Sequence, residues 1–347
     1  FSFEIDLFEF KNFFSLSNLE KEYGSIRDLS KKILSGDIRT LSRCITLSES
    51  SREDHQFFSR SVLEKVLPMT GKSLRIGISG PPGVGKSTFI ETFGTFLVDK
   101  GKKIAVLAVD PSSSKSGGSI LGDKTRMERL SQSDSAFIRP SPAGETLGGV
   151  SRHTREALLL CEASGYDTII VETVGVGQSE ATVSNMIDIF ILLISPGGGD
   201  ELQGIKRGIV ELADLIIVNK ADGLLRSEAE NIAREYNSAV KLLRPKINKW
   251  NTRVVTCSAL ENKGIEEIWS ITEEFFKKFD QESDLSAHRK EQFQKWLREE
   301  ITQNLNKQIY SDKKINDLIT IYEKKVLIGE VLPSAAAYEI VKNFLKK

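Results

Sequence analysis

The stretch Gly80-Pro-Pro-Gly-Val-Gly-Lys-Ser87 follows an apolar run, Leu74–Ser79, and precedes a helical pattern over Thr88–Leu97. It fits G-x-x-x-x-G-K-[ST] in the strand–loop–helix setting that gives this motif its meaning. The glycines Gly80, Gly83 and Gly85 let the backbone curl, so that successive N–H groups around Val84 and into Thr88 face phosphate oxygens at the positive end of a helix. Lys86 then reaches the β- and γ-phosphates, and the Ser87 hydroxyl binds Mg²⁺. A nucleoside triphosphate site is the expectation from which the rest of the chain is read.

Around this loop, short runs rich in Ile, Val and Leu alternate with amphipathic stretches. The runs are Leu74–Ser79, Lys103–Val109, Ala136–Ile138, Thr168–Val171, Asp188–Ile194, Leu215–Val218 and Arg253–Thr256. Near-continuous apolar strands with helices between them predict an α/β fold with a mostly parallel, doubly wound sheet covered on both faces. Residues 1–70 read as an N-terminal helical extension. Ile26, Leu29, Ile33 and Leu34 recur at helical spacing before Gly36, Asp37 is placed to cap a second helix, and Ser51 with Asp54 to open a third. The phosphate-loop domain spans 71–280. Residues 281–347 form a C-terminal helical arm, with Phe293, Trp296, Leu297 and Ile301 on one stripe; such a face needs a partner, and a homodimer through the arm is expected.

Composition narrows the partners. Among 347 residues, 48 Lys and Arg balance 48 Asp and Glu, which argues against nucleic acid or a membrane surface as the main partner. No apolar run approaches the ~18 residues of a membrane span. Three dispersed cysteines, Cys44, Cys161 and Cys257, make no disulfide framework and point to a reducing compartment, cytoplasmic or the mitochondrial matrix. The segment Phe1–Phe14 is rich in phenylalanine, carries Glu4, Asp6 and Glu9, and lacks Arg; it is unlike a targeting peptide and is expected to pack on the body or a partner.

Mg²⁺ calls for hard oxygen ligands near the phosphate loop. Asp110 ends one run and Glu172 another, at the carboxyl edge where open α/β sheets bind ligands. Asp123 lies beyond a hydroxyl-rich loop, Pro111 to Gly122, suited to ordering around Mg²⁺ and the γ-phosphate. Glu172 opens E-T-V-G, which makes Gly175 the candidate for an amide contact with the γ-phosphate. The residue after that glycine is Val176 where a water-orienting glutamine is often found, and Gln178 comes later. Slow hydrolysis by the isolated chain is therefore expected, with acceleration when a partner or rearranged loop supplies polar groups.

The run Leu215–Val218 leads into N-K-A-D, Asn219 to Asp222. An aspartate here accepts two hydrogen bonds from guanine, which adenine has no matching donors to supply. Asn219 would brace the loop, the Lys220 stem would lie along the base, and Ser258-Ala259-Leu260 would present a backbone N–H to the guanine carbonyl. A third loop, Ser195 to Gly208, holds three consecutive glycines and then Gln203 and Lys206, the candidates for a switch that moves toward the γ-phosphate when a partner binds.

Taken together, GPPGVGKST, VDPSSSKSGGSILGDKTRM (Val109 to Met127), IRPSP, VETVGVGQSE and GGGDELQGIKRG resemble the MeaB/ArgK-type GTPases over about residues 25 to 280. The resemblance implies a homodimeric P-loop GTPase that gates cofactor loading onto adenosylcobalamin-dependent methylmalonyl-CoA mutase and protects or reactivates that enzyme. It implies Lys86 and Ser87 at the phosphates, Asp110, Asp123 and Glu172 as magnesium-site and catalytic acids, and Asn219, Lys220 and Asp222 at guanine. Gln203 and Lys206 match the additional switch that engages on mutase binding. Three other readings stand beside it. A metal-insertion GTPase needs clustered Cys or His, whereas His55, His153 and His288 are isolated. An ATP-dependent kinase of a periplasmic amino-acid-binding protein needs adenine preference, against Asp222. A scaffold that holds nucleotide without turnover is disfavoured by the three acids.

Overall fold

The computed structural model describes residues 16–110, 127–142, 147–173, 178–196, 207–242, 250–281 and 284–346. Side chains at 110, 141, 142, 147–151, 178, 179, 207 and 281 lie outside the description, as do the expected phenylalanine-rich N-terminus, Asp123, Gly175, Gln203 and Lys206. The helices are α1 (16–23), α2 (Ile26–Leu34), α3 (Ile38–Ser48), α4 (Glu53–Val66), α5 (Lys86–Asp99), α6 (Glu128–Ser131) and α7 (Leu147–Ala163). They continue as α8 (Gln178–Ser184), α9 (Arg207–Leu212), α10 (Arg226–Val240), α11 (Ile265–Gln281), α12 (Asp284–Ser311), α13 (Lys313–Leu327) and α14 (Pro333–Leu345). Strands β1 (Leu74–Ser79), β2 (Ile104–Asp110), β3 (Ala136–Pro142), β4 (Thr168–Thr173), β5 (Ile189–Ile194), β6 (Leu215–Val218) and β7 (Arg253–Thr256) lie where the seven apolar runs place them.

The seven strands form one sheet in the order β3-β2-β4-β1-β5-β6-β7, and every neighbouring pair is parallel. Successive side chains of a strand point to opposite faces, and both faces are buried: β4 and β5 show no exposed position. On one face Ile76, Ile78, Ile191 and Leu193 share a core with Phe89, Ile90 and Phe93 of α5 and Ile268, Trp269 and Phe275 of α11. On the other, α7 packs on β2, β3 and β4, and α10 on β6 and β7. Strand β1 is central, and the chain crosses it between β4 and β5. The carboxyl end of β1 is thus the point where loops diverge and ligands of such sheets bind.

The N-terminal helices pack on one another, and α2, α3 and α4 each meet α7. Asp37 caps α3 as its position predicts, accepting from the Thr40 N–H at 2.7 Å. The start of α4 differs from expectation. Ser51 does not open it; Arg52 is the cap residue, without a side-chain cap bond. Asp54 is instead held by Arg52 Nε at 3.1 Å, and an Arg–Asp fork offers the carboxylate more than a single backbone N–H.

The described residues divide into two compact units, one ending at Arg289 and the other beginning at Lys290. In the second unit α13 packs on α14. Its part of α12 carries Phe293, Leu297, Ile301 and Leu305 at four-residue intervals, between 41% and 62% exposed. No helix among the described residues is long and apolar enough to cross a membrane.

Candidate nucleotide site

Strand β1 ends in the phosphate loop, and close packing explains its glycines. A Cβ on Gly80 would lie 2.4 Å from the Leu193 carbonyl oxygen of β5. Gly85 has φ +90°, and its Cβ would lie 2.8 Å from Asn219 Nδ2. Only glycine meets both demands at that position. Val84 is buried between them. The Lys86 ammonium curls back over the loop, donating to the Gly80 carbonyl at 2.7 Å and the Pro81 carbonyl at 3.1 Å. Burial lowers its proton affinity, while the charges of Glu172 and Glu180 push the other way. Ser87 is half-buried and Thr88 exposed on the first turn of α5.

Glu172 sits near the end of β4, 9% exposed, one strand from the loop. The next residue, Thr173, donates its hydroxyl to Ser79 Oγ at 2.8 Å, tying the ends of β4 and β1 together inside the protein. Asp110 closes β2 in register with Pro142 of β3, so the backbone brings it to the same carboxyl edge.

The base-side loops are bound to the phosphate loop. Asn219 donates through Nδ2 to the Val84 carbonyl at 3.0 Å. Its Oδ1 accepts the Ala259 N–H at 3.1 Å and the Cys257 thiol at 3.3 Å. Lys220, at φ 61°, extends its ammonium to the Gly83 carbonyl at 2.6 Å. Asp222 accepts the Ser258 hydroxyl, and that hydroxyl oxygen accepts the Glu261 N–H at 3.1 Å. By their place in the sequence, Ser258 and Ala259 are expected to present a backbone N–H to a guanine carbonyl. Both are committed elsewhere, Ser258 N–H to Lys263 O at 3.1 Å and Ala259 N–H to Asn219. What Ser258 gives the site is its hydroxyl. Leu260, 80% exposed, stands at the rim.

Several contacts had no sequence signal. Thr92 Oγ1 donates to the Ala259 carbonyl at 2.9 Å, so α5 supports the base loop as well as the phosphate loop. Glu180, 1% exposed, bears electrostatically on Lys86 from α8; it stands at the end of VETVGVGQSE, where nothing but its position marked it. The Cys257 thiol, pushed up to about 12 by burial, is a neutral donor.

A glycine-lined phosphate loop on a central parallel strand, an acid on the adjoining strand and an Asn-Lys-x-Asp loop clamped to the first define a P-loop GTPase. The family model described as "Methylmalonyl Co-A mutase-associated GTPase MeaB" matches residues 41–314. A Caulobacter vibrioides protein described as a putative GTPase is 48% identical over 319 residues, covering 92% of this chain and 98% of that one. The Mus musculus protein described as methylmalonic aciduria type A homolog, mitochondrial, is 45% identical over 335 residues, covering 94% and 81%. A crystal structure titled LAO/AO transport system kinase superposes with a TM-score of 0.74 at 36% identity, covering 93% of this chain and 98% of that chain. The chain belongs to the MeaB family of methylmalonyl-CoA mutase-associated GTPases.

Proposed function

We propose that this chain hydrolyses GTP slowly by itself and faster on a client, and that the client is an adenosylcobalamin-dependent methylmalonyl-CoA mutase whose cofactor loading it gates and whose activity it protects. The observation that carries the nucleotide half is the clamp of Asn219 and Lys220 on the Val84 and Gly83 carbonyls. It fixes the spacing between a base reader and a phosphate cradle, as one nucleotide spanning both requires. The family supports the client half.

In this reading the phosphate-loop amides and Lys86 hold the β- and γ-phosphates, Lys86 leaving the Gly80 and Pro81 carbonyls to do so. Asp222 takes the two guanine N–H donors, the Lys220 stem covers the base, and Leu260 closes its rim. The hydroxyl of Ser87 and the carboxylate of Glu172 are hard oxygen donors without a soft ligand among them, a set that fits Mg²⁺; Asp110 and Asp123 complete it. A Mg²⁺ ion held by these residues would supply neutralisation of charge on the phosphates. Glu172 orders the attacking water, Gly175 contacts the γ-phosphate, and Gln203 and Lys206 supply the missing polar groups when the client docks.

We assign the exposed stripe Phe293, Leu297, Ile301 and Leu305 to a second copy of the chain, which makes the protein a homodimer in the cytoplasm or the mitochondrial matrix. Leu297→Glu buries a charge in that contact and is expected to raise the dimer dissociation constant at least ~10-fold; a dissociation constant from sedimentation-equilibrium ultracentrifugation that matches wild type would refute the assignment.

The nucleotide reading is tested with fluorescent GTP and ATP analogues. Wild type is expected to favour GTP by about 100-fold or more, and Asp222→Ala to lose that preference through weaker GTP binding, because buried polar groups of the base lose their partner. Equal affinities in wild type would overturn it and revive the ATP-dependent kinase reading. The client reading is tested by adding purified mutase: GTP turnover is expected to rise, and an unchanged rate counts against this client.

A further inference from the structure

The helical threonines Thr46, Thr95, Thr272, Thr302 and Thr320 each donate their hydroxyl to the carbonyl four residues back, the usual outlet for a hydroxyl within a helix. Thr92 departs from them. It lies on α5, one turn before Thr95, yet its hydroxyl leaves the helix and donates to the Ala259 carbonyl, in the loop after β7, at 2.9 Å. Ala259 is thereby held on both sides, its N–H by Asn219 Oδ1 at 3.1 Å and its carbonyl by Thr92. It is 3% exposed and shares the core with Val84, Phe89 and Phe93, so its carbonyl is costly to leave without a donor.

These bonds close a circuit. Asn219 Nδ2 donates to the Val84 carbonyl at 3.0 Å, Val84 leads through the Gly85 cap into α5, and Thr92 of α5 returns to the residue that Asn219 holds. The turn from Ser258 to Lys263 is closed on itself, Ser258 N–H to Lys263 O at 3.1 Å and Lys263 N–H to Ser258 O at 3.0 Å, and so moves as one piece. On either side of Ala259 it carries Ser258, whose hydroxyl goes to Asp222, and Leu260 at the rim. We propose that Thr92 is a positioning residue for guanine recognition. By fixing the Ala259 carbonyl from the phosphate-binding helix, it holds this turn where Ser258 orients Asp222 and Leu260 covers the base, and so sets how long a guanine nucleotide stays bound. This rests on Asp222 reading guanine, as the proposed function has it. The role of Thr92 involves no contact with the nucleotide; it acts through Ala259.

The test follows release of a fluorescent GDP analogue from the full chain after a chase with unlabelled GDP, alongside single-turnover hydrolysis of bound GTP. Thr92→Val, which puts a methyl group in place of the hydroxyl, is expected to speed GDP release about 5–10-fold, the worth of one net hydrogen bond. The single-turnover rate should stay within about twofold of wild type, because the phosphate side is untouched. Thr92→Ser keeps the donor and should release GDP within about twofold of wild type. Added to Asp222→Ala, Thr92→Val should change release by less than about twofold, since the carboxylate that the turn orients is gone. Unchanged GDP release in Thr92→Val, in a wild type that prefers GTP over ATP, overturns the positioning role alone. So does release from Thr92→Ser as fast as from Thr92→Val, or full additivity with Asp222→Ala. An equal loss in the single-turnover rate also overturns it, as general damage to α5. No preference for GTP in wild type removes the base reading of Asp222, and this proposal with it.

Discussion

Replacing Lys86 with Ala is expected to lower the rate of GTP hydrolysis by about 10²–10³-fold and to weaken GTP binding, while leaving the affinity for guanosine unchanged. The ammonium is a fixed positive charge beside the phosphate loop, and removing one preorganised electrostatic contact to developing negative charge typically costs this much. The local environment sharpens the expectation. Burial works against the charge of Lys86, and the carboxylates of Glu172 and Glu180 work in its favour; a triphosphate brings more negative charge into the same space. The two carbonyls that now hold the ammonium, of Gly80 and Pro81, belong to a loop that water also reaches, so the alanine variant should fold normally. Lys86→Arg is not a rescue, because a planar fork cannot occupy a site shaped for a compact ammonium. Measuring guanosine, GDP and GTP affinities side by side isolates the effect: only the phosphorylated ligands should respond. A uniform loss across all three, guanosine included, would mean that Lys86 supports the architecture of the loop rather than the phosphates.

The chain makes its strands and its phosphate loop legible because both are local statements. Seven runs of Ile, Val and Leu mark seven strands, since a strand buried on both faces admits little else. Gly80-to-Lys86 reads as a cradle because its glycines answer to backbone geometry. The base side is legible by type but not by contact. Asn219 is recognisable as a brace, yet its three partners, Val84, Cys257 and Ala259, come from segments far apart in sequence. The same distance hides Ala259: its amide looks available in the sequence and is spent on Asn219 only because β6 and β7 run side by side. Glu91 and Thr92 are the plainest case. They are consecutive residues in an amphipathic helix and read as ordinary surface positions, but one grips α6 and the other the base loop. Ser51 failed for the opposite reason. It fits the local capping pattern, and a neighbouring arginine holding Asp54 took its place at the start of α4.

At the other end of the strands, Arg289→Met is expected to destabilise the protein by about 3–5 kcal/mol. Arg289 and Asp188 form a forked pair, Nε to Oδ1 at 2.9 Å and Nη2 to Oδ2 at 2.7 Å, with side-chain exposures of 10% and 0%. The same guanidinium donates to the Gly71 and Ser73 carbonyls, each at 2.6 Å, and Asp188 Oδ2 also accepts the Arg75 N–H at 2.9 Å. Burial alone would discourage the charge on Arg289; the Asp188 carboxylate outweighs it and holds the group charged. Truncating the arginine leaves a carboxylate in the interior with a single backbone donor and strips two carbonyls of theirs, so the penalty is that of an uncompensated buried charge. Pairing the change with Asp188→Leu removes that charge, and the double variant should be less destabilised than the sum of the single ones by at least ~1.5 kcal/mol. Urea unfolding of the four proteins measures the cycle directly. Strictly additive losses would show that the two side chains stabilise the fold independently, and that the connection between the entry to β1, the entry to β5 and the first turns of α12 rests on apolar packing instead.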